Sequence, residues 1–224
     1  MDASQPPGSR LALHLGLGAL LLVVAAWIFG SIAEDVVTSD RLTVLDSEVA
    51  QWLHRHATPA LTRAMLVVTN LHSTIAVGIY ATAVALLLAL RRQWRRLTLV
   101  VVAVGGGLAV NALMKLAFHR ARPVFDDPLM TLSTYSFPSG HVAGSTILYG
   151  LVVAWVFTRT RSALRRALAI AAAALLIVLV AFSRMYLGVH YLSDVCAAFA
   201  EGVGWLAICI GALAAFWRAR PVQP

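Results

Sequence analysis

Three short stretches of this 224-residue chain hold residue types that are costly to keep among apolar neighbours. In "SRMYLGVHYLSD", His190 and Asp194 stand four positions apart, so on a helix they would stack on one face. A carboxylate that accepts the N–H of one ring nitrogen leaves the other nitrogen free as a nucleophile or base. The same stretch carries Arg184, and "KLAFHRARP" adds Lys115 and Arg122. In "FPSGHVAG", Pro138 ends a loop, Ser139 offers a helix cap, Gly140 lets the backbone come close, and His141 opens a helix. The N–H groups of such a helix start, with the positive end of its dipole, bind phosphate. Fixed cations around two histidines, one tied to a carboxylate, describe a phosphoryl-transfer site. Each stretch alone is a weak signal, and their convergence on one face carries the weight.

The elements that must bring them together are membrane helices. The chain is 60% hydrophobic and 12% charged, with a mean hydropathy of +0.80. Soluble domains average about half apolar and a quarter charged. Apolar runs cover 11–29, 64–90, 97–118, 142–157, 167–182 and 195–217. With short extensions, each reaches the roughly 20 residues that span a bilayer. The expectation is an all-α integral membrane protein with six transmembrane helices. One domain is expected over 11–217, with a disordered tail at 1–10 and a second tail at 218–224. The first run is too long for a signal peptide and lacks a clear cleavage site.

A net charge of +8 and a pI near 10.5 would suggest nucleic acid in a soluble protein, but the placement of the charges argues otherwise. Eleven of the 18 basic residues fall at Arg10, in the loops Arg91–Arg96 and Arg159–Arg166, and at Arg218 and Arg220. Short arginine-rich loops stay cytoplasmic, which places both termini inside and all three polar stretches outside. The basic excess is thus a topology signal, with contact to anionic headgroups, and no nucleic-acid partner is expected. "LDSEVAQWLHRHATP" in the first external loop predicts a short amphipathic helix capped by Asp46 or Ser47, with Val49, Trp52 and Leu53 on one face. Gly105, Gly106 and Gly107 predict close helix packing. Cys196 and Cys209 share one helix and read as small buried apolar residues. No cysteine and histidine spacing suggests a metal site.

Lys115-x6-Arg122-Pro123, Pro138-Ser139-Gly140-His141 and Ser183-Arg184-x5-His190-x3-Asp194 together resemble the three-part signature of the type 2 phosphatidic acid phosphatase family, with every spacing matched. With the six helices, the resemblance covers about residues 10–217. It implies His190 as a nucleophile forming a phosphohistidine, Asp194 as its orienting partner, and His141 as the general acid for the leaving oxygen. It also implies a phosphate cradle of Lys115, Arg122, Ser139, Gly140 and Arg184, and no metal or other cofactor. The implied partner is a lipid phosphate in the bacterial inner membrane, met on the extracytoplasmic face. "YSFPSGH" and the compact size are similar to bacterial undecaprenyl-diphosphate phosphatases. The alternatives are a broad phosphatidic acid or phosphatidylglycerophosphate phosphatase, a lipid phosphoryltransferase, and a non-enzymatic lipid-binding protein.

Outside the signature, Asn111 is expected to bond between helices, and Glu201 to turn inward toward a polar partner. His119 and Arg120 are expected near headgroups or as interfacial anchors. His54 and His56 are expected in solvent, and His72 in a packing role. Asp126 and Asp127 should lie away from the phosphate.

Overall fold

A computed structural model of the protein describes residues 7–219. Its described residues form helices and loops: α1 (Pro7–Thr38), α2 (Arg41–Arg55), α3 (Pro59–Leu71), α4 (Thr74–Leu90), α5 (Trp94–Val100), a π-helical turn (Val101–Gly105), α6 (Gly106–Phe118), α7 (Gly140–Arg159), α8 (Ala163–Tyr186) and α9 (Leu192–Ala219). α1 begins at Pro7, inside the expected 1–10 tail, and α9 runs two residues into the expected 218–224 tail. The rest of both tails lies outside the described residues.

Among the described residues, five helices are long and apolar enough to cross a bilayer, with α5, the π turn and α6 counted as one continuous span. α3 and α4 meet that test only as a pair bent by 41°, a broken sixth span or a re-entrant loop. Local chemistry explains the break within the expected 64–90 run. Ser73 accepts the Ala76 N–H at 3.1 Å and restarts the chain as a new helix. His72 sits between the two helices, with Nδ1 2.9 Å from the Val68 carbonyl and Nε2 2.6 Å from the Tyr149 hydroxyl. A carbonyl only accepts, so Nδ1 carries the proton and Nε2 accepts from Tyr149. His72 thus closes the gap by bonding to α7.

The apolar surface faces outward, as a bilayer solvent requires. Trp27, Ile75 and Leu90 are more than two-thirds exposed. Inside, α1 packs on α9, and α7 packs on both α8 and α9. Close approach is achieved with glycine, as expected at Gly106 and Gly107 but not at Gly105, where a Cβ would meet open space. A Cβ on Gly106 would lie 2.5 Å from the Trp205 ring, and one on Gly107 would strike Ile147. The Trp205 indole donates to the Ala103 carbonyl at 2.9 Å, which sits inside the π turn. Gly202 of α9 is equally tight, since a Cβ there would lie 2.7 Å from Thr146 of α7.

Four side chains depart from expectation. α2 starts earlier, with Asp40 as its cap, and its buried face is Asp46, Ala50 and Leu53. Trp52 is instead exposed and stacks on His56. Asp46 was expected at the helix start, yet it is fully buried because it has charged and hydrogen-bonding partners on another helix. His54 is not solvated: it stacks on Phe125 at 4.1 Å and pairs with Asp127 at 2.8 Å. Cys209 is buried, but Cys196 is exposed on the apolar surface of α9.

Candidate active site

The end of α8 sets the position of His190. Gly188 has φ +70°, and its N–H and that of Val189 donate to the Met185 and Arg184 carbonyls at 3.0 and 3.2 Å. This is a Schellman ending, in which glycine takes the left-handed position and the chain turns sharply away. Val189 and His190 follow at once in the turn before α9, so His190 and Asp194 do not stack on one helix face. Asp194 lies instead in the first turn of α9 and reaches back, accepting the Tyr191 N–H at 2.9 Å and facing His190 Nδ1 at 3.3 Å. A carboxylate at the third helical position bonding back to the cap amide is half of a capping box. The same oxygen therefore caps α9 and meets His190.

The other ring nitrogen defines the tautomer. Arg122 Nη1 lies 3.3 Å from His190 Nε2, and a guanidinium only donates. Nε2 thus carries the lone pair, and Nδ1–H points to Asp194. Burial, then Arg184, Arg122 and Lys115, hold the His190 pKa well below the ordinary histidine value. The imidazole is neutral at pH 7.

Three other elements bring cations toward this nitrogen. Lys115 on the last turn of α6 donates to the Tyr135 and Ser136 carbonyls at 2.8 and 3.2 Å. Arg122 is held by the Thr134 carbonyl at 2.7 Å and the Val189 carbonyl at 2.5 Å. Arg184 is 1% exposed and donates from Nη1 to the Thr69 hydroxyl, while its Nε and Nη2 meet no protein acceptor. A buried guanidinium with two spare donors is arranged for an anion.

Ser139 is the N-cap residue of α7, but its hydroxyl does not cap the helix. It is fully buried without a protein partner. The Ser139 N–H donates to the Asp194 carbonyl at 3.1 Å, a main-chain link between the start of α7 and the start of α9. The first N–H groups of α7 have no intrahelical acceptor. Phe29, Phe118 and Phe137 pack behind this turn, with Phe118 and Phe137 ring centres 4.9 Å apart. His141 follows, half-buried, with the cations Arg184, Arg122 and Lys115 and the His190 imidazole as its neighbours. The structure thus gathers Lys115, Arg122, Ser139, Gly140, His141, Arg184, His190 and Asp194 at one end of the helix bundle.

Asn111 bonds to Glu201 at 2.9 Å and lies against Gly140, joining α6 to α9 below the cluster. Glu201 thus turns inward and Asn111 is its partner. His119, in the left-handed conformation, ends α6 with its N–H on the Lys115 carbonyl at 3.1 Å and packs its ring edge-on to Tyr135.

Sequence reasoning missed Thr69, Asp46 and the role of Arg120. Arg120 bonds to Asp194 at 2.5 Å and to Asp46 at 2.7 Å. Burial opposes its charge, and Asp194 and Asp46 more than offset this, raising its pKa. The signal for Asp46 was available: it shares the i, i+4, i+7 stripe of Ala50 and Leu53.

Known proteins agree with this architecture. The family model described as PAP2 superfamily matches residues 96–218, more than half of the chain, and the protein belongs to that superfamily. Phosphatidylglycerophosphatase B of Bacillus subtilis (strain 168) is 34% identical over 115 residues, which is 50% of this chain and 55% of that protein. The match therefore spans about half of the relative's length. The crystal structure of the transmembrane PAP2-type phosphatidylglycerolphosphate phosphatase from Bacillus subtilis has a TM-score of 0.77 at 22% identity, covering 90% of this chain and 98% of that one. Aquifex aeolicus LpxE superposes with a TM-score of 0.58 at 20% identity, over 74% and 94% of the two chains. At these identities the two structures establish the fold.

Proposed function

We propose that the protein is a metal-independent lipid phosphatase working through a phosphohistidine. The observation that carries this is His190: a neutral imidazole with Nδ1–H on Asp194 and its Nε2 lone pair turned toward the cations. In the first step the Nε2 lone pair attacks phosphorus, and the bond to the leaving oxygen breaks with its electron pair. His141, arriving protonated, gives that oxygen its proton. Asp194 balances the positive charge that develops on the imidazole. In the second step water attacks phosphorus, His141 takes a water proton, and the P–N bond breaks to return the lone pair to Nε2. Arg184, Arg122, Lys115, Ser139 and the Gly140 amide hold the equatorial oxygens and stabilise their charge.

The substrate keeps its tail in the bilayer and presents its headgroup on the extracytoplasmic face of the bacterial inner membrane. We take undecaprenyl diphosphate as the first candidate, on the compact size and the "YSFPSGH" stretch. Phosphatidylglycerophosphate is the second, favoured by the name of the Bacillus subtilis relative. The test is phosphate release by purified protein in detergent, with each lipid offered separately, EDTA present, and His190→Ala as control. Preference for the prenyl diphosphate, lost in the variant, supports the first reading. Preference for phosphatidylglycerophosphate, also lost in the variant, selects the second. A phosphorylated acceptor in place of free phosphate would make the protein a transferase, and full activity in His190→Ala would refute the mechanism.

A further inference from the structure

Asp46 is the one buried carboxylate of α2, and it is bonded through both oxygens. Oδ1 accepts the Ser193 N–H at 2.9 Å. Oδ2 accepts the Ser193 hydroxyl at 2.5 Å and Arg120 Nη2 at 2.7 Å. Arg120 Nη1 donates to the Ser193 hydroxyl at 2.6 Å and to Asp194 Oδ1 at 2.5 Å. The guanidinium also lies over the Tyr191 ring, 4.4 Å from its centre. Asp46, Arg120 and Ser193 form a closed ring that bonds to Asp194 through Oδ1, and the other oxygen of Asp194, Oδ2, accepts the Tyr191 N–H and faces His190.

Two features distinguish this ring from a helix-docking ion pair. First, the ring approaches Asp194 only through Oδ1, so it fixes the carboxylate's rotation without occupying the oxygen that meets the imidazole. Second, one guanidinium is shared by two carboxylates, which leaves one net negative charge across Asp46, Arg120 and Asp194. An Arg120–Asp194 pair without Asp46 would be neutral. Arg120 would then draw on the charge that Asp194 must offer to His190. Asp46 also places a carboxylate against the N-terminal amides of α9, where the helix dipole favours it.

We propose that Asp46 and Arg120 are positioning residues of the histidine–aspartate pair: Arg120 holds Asp194 by its outer oxygen, and Asp46 keeps the cluster negative while tying α2 to the reacting end of α9. The inference rests on the reading of His190 as nucleophile and Asp194 as its partner. Asp46 and Arg120 do not touch the phosphate, so their removal acts on turnover and leaves binding alone.

The test is a double-mutant cycle on phosphate release from phosphatidylglycerophosphate and undecaprenyl diphosphate, with Asp46→Asn, Asp194→Asn and the double variant compared. Asp46→Asn is expected to lower kcat by about 10- to 100-fold, as loss of an outer partner of a catalytic group does. KM stays within about twofold. In the Asp194→Asn background, adding Asp46→Asn costs nothing further, because the two act through one another. Arg120→Gln provides a second route should Asp46→Asn fold poorly, and it should show the same pattern. Equal losses in both backgrounds, a change confined to KM, or an unchanged kcat would overturn the inference. So would failure of both variants to fold, since the ring would then be a packing device. Retained activity in His190→Ala would instead refute the nucleophile assignment itself, and this outcome is independent of the cycle.

Discussion

His190 is a neutral base because burial and three cations oppose its protonation. An ordinary histidine titrates near pH 6.5. With the folded pKa depressed, His190 stays unprotonated through that value and charges only well below it. The limb of the kcat/KM profile that belongs to His190 is therefore expected well below pH 6.5 rather than at it. The same shift bears on stability. Below about pH 6.5 the unfolded chain takes up a proton that the folded one resists, so this contribution is present above that pH and is lost as pH falls toward the folded pKa. Thermal-shift midpoints in detergent should drop across that window, and less so in His190→Gln. A second residue-scale test concerns Arg184, whose Nε and Nη2 await an acceptor. Arg184→Lys keeps the charge but not the planar fork, and should cost about 1.5–3 kcal/mol of transition-state binding, read as kcat/KM. An unchanged kcat/KM would mean those donors never meet the phosphate.

At the scale of elements, the helix endings decide where the chemistry stands. Gly188 takes a left-handed conformation, and a Cβ there would lie 2.8 Å from the Phe125 ring. Gly188→Ala should destabilise the protein by about 1–3 kcal/mol and reduce activity more than an equally destabilising change far from the site. Gly202 tests the α7–α9 crossing. Gly202→Val forces Thr146 and the Ala143 carbonyl away, separating the helices that carry His141 and Asp194, at a cost of about 1–3 kcal/mol. Normal turnover in Gly202→Val would show that the site tolerates movement between those helices. These endings also mark how far the sequence was legible. The signature residues were found because charges and turn-formers are rare in apolar runs, and the six apolar runs predicted the helical membrane fold. The α3–α4 break was missed because hydropathy does not register a single serine cap inside an apolar run. The ring of Asp46, Arg120 and Ser193 was missed because its members are far apart in sequence and only folding brings them together. By sequence alone Asp46 reads as a cap, since aspartate is more common at helix starts than on buried faces.

For the whole molecule, the arginine loops predict an orientation in the bilayer that labelling can test. In a background lacking Cys196 and Cys209, a membrane-impermeant maleimide should label Asp127→Cys on intact cells. It should label Arg92→Cys only after permeabilisation, and the reverse pattern would invert the topology. Such orientation would place the cluster of Lys115, Arg122, Arg184 and His190 at headgroup depth, with the apolar faces of α1, α4 and α8 turned to lipid. Lipid tail and phosphate would then be handled by separate surfaces. The start of α7 is joined to the start of α9 through the Ser139 amide and the Asp194 carbonyl, a link that uses no side chain. Any residue but proline at position 139 preserves that donor, so the join between the starts of α7 and α9 does not depend on which side chain stands there. Lipid-facing residues can therefore change without touching the bond that holds the two helix starts together.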